Sequence, residues 1–175
     1  MIPSPRTAPF VIRRAQRDDV PAIHAMIVAL ADFEKLRHLC VATEGDLAEA
    51  LFGPRPAAEV LLAVKDGAPA AFALFFRNFS TFLGRPGLWL EDLYVIPEHR
   101  RQGCAQALLA ALAAIAVARG CGRFEWAVLD WNTSAIEFYR SRGATVLPDW
   151  RIVRVTGDAL NAMARVSTAA TPTSG

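Results

Sequence analysis

The sequence predicts an α+β fold: a mixed, mostly antiparallel sheet flanked by helices. Two observations carry this reading. Glu59 to Lys65 and Ala70 to Phe79 are apolar runs joined by the turn pair Asp66-Gly67, so they form an antiparallel hairpin. Leu88 to Leu129 reads as strand, helix, strand, which implies a parallel pair with a right-handed crossover. An antiparallel sheet joined to one parallel pair belongs to the α+β class. A chain of 175 residues suits one such domain with a real hydrophobic core, and no repeat or linker divides it.

Residues 1–9 hold three prolines and little to bury, so they read as a flexible arm ahead of a single domain over 10–166. Phe10 to Arg14 is a short strand. Asp18 or Asp19 can cap the following helix, and Pro21 suits its first turn. Ile23, Met26, Ile27 and Leu30 give that helix its apolar face, and it ends near Asp32 to Lys35. Thr43 and Asp46 resemble a capping pair for a second helix through Leu51. Gly53 to Pro56 breaks the chain before the hairpin, and Ser80 to Gly87 is a loop before the strand Leu88 to Val95. Cys104 to Arg119 is a long Ala/Leu helix that Gly120 is placed to end. Arg123 to Leu129 is a strand, followed by a helix that Thr133 or Ser134 caps and Gly143 stops. Arg151 to Val155 is a last strand, and Thr156 can cap a short final helix. Residues 167–175 are small and polar, hence predicted disordered.

Composition excludes several function classes. A net charge of +2 is too small to argue for nucleic-acid binding. No apolar run reaches the length of a membrane span without interruption, and MIPSPRTAP has no apolar signal-peptide core. Cys40, Cys104 and Cys121 are odd in number and lack metal-ligand spacing, so they read as reduced thiols in a cytoplasmic protein, with no metal. His24 and His38 have no partner at a telling spacing and read as surface side chains.

The stretch LWLEDLYVIPEHRRQGCAQALLAAL, Leu88 to Leu112, organises the rest. Its strand is apolar yet carries Glu91 and Asp92. As neighbours in a strand these face opposite sides, so at least one points into a packed or ligand-bearing side. A buried carboxylate is costly unless paired, so ion pairing or a bulge is one reading and a cationic ligand the other. The helix then opens with Arg100, Arg101, Gln102 and Gly103. Helix starts favour anions, and the backbone amides from Arg101 through Cys104 and Ala105 to Gln106 would form a nest for a phosphate. No Gly-Lys-Ser/Thr follows, so this is not a P-loop.

Arg100 to Ala105 fits Arg-x-x-Gly-x-Gly/Ala between a strand ending LYV and a long helix, and so resembles the acetyl-CoA loop of the GNAT superfamily of N-acetyltransferases. LEDLYV, HRRQGCAQALL and WNTSAIEFYRSRGA, with ADFEKL and FVIRRA, resemble the diamine (spermidine/spermine) acetyltransferase branch over roughly Phe10 to Ala164. The resemblance implies a GNAT-like sheet splayed open between the strands at Leu88–Val95 and Arg123–Leu129, with acetyl-CoA as cosubstrate in the opening. It also implies a homodimer. Asn132 would bond the pantetheine arm, with Thr133 and Ser134 beside it, and a backbone N–H among Leu93, Tyr94 and Val95 would hold the oxyanion. Tyr139 would protonate the leaving thiolate. Glu91 would handle the substrate ammonium, since an amine attacks only after losing its proton. Asp92 would attract the cation. Glu34 and Asp149 would border the amine pocket, with Phe33, Trp126 and Trp150 shaping it. Cys104 would offer a backbone N–H, not a nucleophile.

The expected activity is N-acetylation of a small cationic primary amine: a diamine, a polyamine, or a lysine-like amino acid such as thialysine. Thr133-Ser134 stands where this branch often has Glu-Pro, and Phe33 where it often has Tyr. The chain is also mildly basic, which counts against a highly charged polyamine. Competing readings are acetylation of a protein lysine or another amine, a non-catalytic acyl-CoA sensor, and an RNA-associated protein, for which no aromatic–basic interleaving stands out.

Overall fold

The computed structural model describes residues 10–165; the predicted arm and tail lie outside them. The chain forms two compact units, one through Ala127 and one from Val128.

The first unit is a five-stranded sheet of β1 (Val11–Arg14), β2 (Glu59–Lys65), β3 (Ala68–Ser80), β4 (Arg85–Val95) and β5 (Arg123–Trp126), in that spatial order. Neighbours run antiparallel except β4 and β5, which are parallel. Its helices are α1 (Val20–Phe33), α2 (Glu44–Phe52) and α3 (Cys104–Ala118). Residues directly opposite one another in an antiparallel ladder share a face, so the register assigns the two faces. Val60↔Leu74, Leu62↔Phe72 and Phe72↔Tyr94 face α1 and α2, and pack with Ile23, Met26 and Leu51. The other face carries Ala71, Ala73, Phe75, Leu88 and Leu90 and lies under α3, whose Leu108 and Leu112 are fully buried. Side chains buried this completely contribute about 1.5–3 kcal/mol each.

Polar contacts tie the helices to the sheet. The Arg119 guanidinium at the end of α3 donates to both Glu59 carboxylate oxygens, at 2.5 and 2.8 Å, and Arg14 donates to the same group. Asp19 does not cap α1 with its side chain as predicted. Its carboxylate instead accepts from the Gln16 amide and from both Arg13 terminal nitrogens, at 2.7 and 2.8 Å. Thr43 and Asp46 do form the predicted reciprocal cap of α2. A Cβ on Gly87 would strike the end of the Asn78 side chain across the β3–β4 pair, so a larger residue there requires Asn78 to turn aside. Among the described residues no helix is long and apolar enough to cross a membrane.

The second unit holds α4 (Thr133–Arg140) and α5 (Gly157–Ala164). Asn132, not Thr133 or Ser134, caps α4: its Oδ1 accepts from the Ala135 amide at 3.3 Å. The predicted strand Arg151 to Val155 is not formed, and Ile152 and Val153 are exposed. β-branched residues favour a strand only against a pairing partner, and this unit supplies none among its described residues. The strand predicted to reach Leu129 stops at Trp126.

Candidate active site

The site begins with an interruption in β4. Phe75 pairs with Leu90 and Leu74 with Asp92, so Glu91 is an extra residue, a β-bulge. A regular strand would put Leu90 and Asp92 on one face. The extra residue puts Leu90 under α3 and turns Asp92, opposite Leu74, toward α1. Simple alternation of Glu91 and Asp92 therefore does not hold. The bulge also coincides with the end of the parallel ladder, whose last pair is Leu90↔Trp126. From Glu91 to Val95, β4 continues with no strand beside it on the β5 side among the described residues. This is the splay expected of the sheet.

Three carboxylates gather at the interruption. Asp92 is half-buried, and its carboxyl is pushed up to about 6, first by burial, then by the charges of Glu91 and Glu34. Glu34, just past α1, is itself raised by burial. Glu91 is exposed, and its Oε2 accepts from the Trp89 indole N–H at 2.8 Å. None of the ion pairs among the described residues involves any of the three. Among the described residues the cluster is a concentration of carboxylates in no ion pair, and no group of His, Cys, Asp or Glu is spaced to hold a metal ion.

The second part is the loop into α3. Pro97–His99 form one 3-10 turn, Arg101 and Gly103 adopt left-handed backbone at φ 59° and 85°, and α3 starts at Cys104. No side chain caps the first turn, and its residues carry no acid. A Cβ on Gly103 would meet nothing within 4 Å. The loop thus presents uncapped N–H donors to open space at the positive end of a helix, which fits a pyrophosphate. Arg100 folds back: its Nε donates to the Val95 carbonyl at 3.1 Å, and its guanidinium lies 5.5 and 5.6 Å from the Phe33 and Tyr94 ring centres. It therefore fixes the loop to β4 and α1. Gln102 bonds the Glu98 carbonyl and receives Lys65 Nζ at 3.0 Å, so the β2–β3 turn braces the loop as well. Cys104 is buried, and burial pushes its thiol up to about 11. It stays a neutral thiol near neutral pH and is no nucleophile.

Of the residues singled out from sequence, the first unit holds Phe33, Glu34, Glu91, Asp92, Leu93, Tyr94, Val95, Arg100, Arg101, Gln102, Gly103, Cys104, Ala105, Gln106 and Trp126. It brings Glu34 and Glu91 each within electrostatic range of Asp92 and sets Phe33 against Arg100. The second unit holds Asn132, Thr133, Ser134, Tyr139, Asp149 and Trp150. There Asn132 Oδ1 is engaged by the Ala135 amide and the Ser134 hydroxyl, and burial raises the Tyr139 hydroxyl above its usual range. Trp150 is 76% exposed. Sequence reading missed Trp89 and Lys65. Two-residue spacing on a strand could have pointed from Glu91 to Trp89. Nothing local links Lys65 to Gln102.

Residues 23–144 match the acetyltransferase (GNAT) family. The chain is 36% identical to an L-ornithine N5-acetyltransferase of Arabidopsis thaliana, over 89% of this chain and 88% of that one. It is 35% identical to a thialysine N-epsilon-acetyltransferase of Mus musculus, over 87% and 96% respectively. Among solved structures, an integron cassette protein from the mobile metagenome of V. cholerae superposes with a TM-score of 0.76 at 25% identity, over 91% of this chain and 99% of that one. With a bulged and splayed β4, an uncapped glycine turn into α3 and relatives matched nearly end to end, the chain belongs to the GNAT family of N-acetyltransferases.

Proposed function

We propose that the chain transfers an acetyl group from acetyl-CoA to the side-chain amine of a small cationic substrate, a lysine-like amino acid or a diamine, by direct attack in a ternary complex. The observation that carries this reading is the Glu34–Glu91–Asp92 cluster: three carboxylates at a β-bulge with no cationic partner among the described residues. A pocket built for a neutral or anionic acceptor gains nothing from such charge, whereas an ammonium neutralises it. The ornithine and thialysine acetyltransferases among its relatives act on amines of this kind.

Acetyl-CoA supplies the activated acyl group as a thioester. The Arg101 to Gln106 amides hold its pyrophosphate, and the open β4 edge from Leu93 to Val95 offers backbone groups to its amides. An alkyl ammonium loses its proton only near pH ~10 in water, so the site must take that proton before the nitrogen attacks. Glu91, the exposed member, meets the ammonium. The Glu91–Asp92 pair receives the proton, and the raised Asp92 makes it a better acceptor at neutral pH than an ordinary carboxylate near ~4. Tyr139, a phenol protonated at neutral pH and kept so by burial, is the donor to the departing thiolate. The C–N bond forms and the C–S bond breaks. The ammonium gives up two protons: the first leaves through the carboxylate pair to solvent, and the second balances the proton that Tyr139 gives to the thiolate.

Residues 10–166 are proposed to act as one domain, since the family match runs through the Ala127/Val128 boundary. A homodimer is also proposed. The exposed apolar residues Trp150, Ile152 and Val153 sit in a stretch with strand-forming composition and no strand partner. A cytoplasmic location suits three free cysteines.

The test is thiol release from acetyl-CoA with ornithine, lysine, thialysine, putrescine, spermidine and a lysine peptide. Ornithine, thialysine or putrescine should lead. Glu91→Gln should cut kcat/KM for the best amine about 10²-fold at pH 7, with the loss shrinking as pH rises. Cofactor binding without turnover of any amine points to a sensor. A lead for the peptide points to a protein substrate.

A further inference from the structure

The hydrogen bond from Trp89 to Glu91 is the only one among the described residues that reaches any of the three clustered carboxylates. Trp89 pairs with Phe76 on one side and with Glu125 on the other, so its backbone is held by strands on both edges. Glu91, two residues on, has neither support: it is skipped in the β3 register and lies past the last β5 pair. A glutamate at such a point is free to spread over its rotamers, and a charge-assisted N–H···O contact is strong enough to select one. We propose that Trp89 is a positioning residue for the acetyl transfer: its indole N–H holds Oε2 of Glu91 and leaves Oε1 as the oxygen that meets the substrate ammonium. This rests on the role of Glu91 given above.

The bulge explains why the arrangement works. Trp89, opposite Phe76, and Asp92, opposite Leu74, share the α1 face although they are three residues apart, which an unbroken strand forbids. The indole thus stands on the same side as the half-buried Asp92, and the Glu91 carboxylate it holds is one of the two whose charges act on Asp92. Trp89 is neutral. It can orient an anion without cancelling the charge the substrate needs, which an arginine here would do. Phenylalanine removes the donor and keeps an aromatic ring at the site, though a smaller one, so the double-mutant cycle separates the lost hydrogen bond from lost packing.

The experiment is a double-mutant cycle of Trp89→Phe, Glu91→Gln and both, read as kcat and KM for amine and acetyl-CoA from pH 6 to 9. Trp89→Phe should lower kcat/KM for the amine about tenfold and leave the KM for acetyl-CoA unchanged. The double variant should match Glu91→Gln alone, because the indole acts only through that carboxylate. A Trp89→Phe defect that adds fully to Glu91→Gln, or that raises both KM values together with a lower Tm, overturns the proposal in favour of packing. If Glu91→Gln is impaired and Trp89→Phe is not, this proposal alone fails. If Glu91→Gln matches wild type on every amine, the reading of the site beneath it fails. A second measurement does not depend on Trp89→Phe folding. Of the four indole N–H signals in a nitrogen-15 spectrum, one should move in Glu91→Gln and on adding the amine to wild type. No movement in either overturns the contact.

Discussion

Glu59 and Asp92 are carboxylates on the same sheet, and their surroundings are opposite. Glu59 starts β2 on the α3 face, where Arg119 and then Arg14 hold it well below the usual carboxylate range. Asp92 sits past the β4 bulge on the α1 face, where burial and two neighbouring acids push it up to about 6. One region spends its charge on joining a helix to a strand. The other keeps charge unsatisfied at a cost to folding, which is expected of a place that waits for a ligand.

The largest expected contrast is in turnover. Asp92→Asn should reduce kcat/KM for the amine on the order of 10²-fold, since it removes charge and a proton acceptor together. Glu59→Gln should leave it unchanged. Equal losses in steady-state assays would dissolve the distinction between the two regions.

The next contrast is the sign of the pH dependence of stability. Asp92 has a folded pKa near 6 against about 3.8 unfolded, so it costs little below pH 4 and destabilises as pH rises through 6. Asp92→Asn should therefore gain on the order of 2 kcal/mol over wild type at pH 7, a Tm rise of about 4–8 °C, and only a few tenths of a kcal/mol at about pH 3.5. Glu59 is lowered from 4.5, so its contribution is present above that value and lost as pH falls below it. Glu59→Gln should lose about 1 kcal/mol at pH 7, discounted for the solvent that reaches the group, and should converge on wild type in acid. Thermal melts of the three proteins from pH 3.5 to 8 read both curves. Curves of the same sign would mean that Asp92 has a cationic partner in solution.

The smallest effect is of salt. At 0.5 M NaCl the Glu59→Gln deficit should shrink by a few tenths of a kcal/mol, because a part-exposed pair is screened. A deficit indifferent to salt would mean that Arg119 contributes through its guanidinium stacked over Phe75, 5.9 Å from the ring centre, rather than through the ion pair.

By itself the sequence determined the element types, the hairpin, the parallel crossover, the glycine turn at Gly103 and the two adjacent acids on β4. These depend on local periodicity, turn chemistry and short spacing, which neighbouring residues decide among themselves. Family likeness, not spacing, led to the expectation that Glu34 borders the amine pocket; the structure puts it within electrostatic range of Asp92. Tertiary structure alone decided that Glu91 is a bulge, because a bulge exists only in register against β3. The same register puts Asp92 on the α1 face, lets Glu34 raise it, and ends the β5 ladder at Leu90. It also decided that Arg151 to Val155 is no strand in this chain, since β propensity becomes a strand only where another strand's N–H and C=O groups lie alongside.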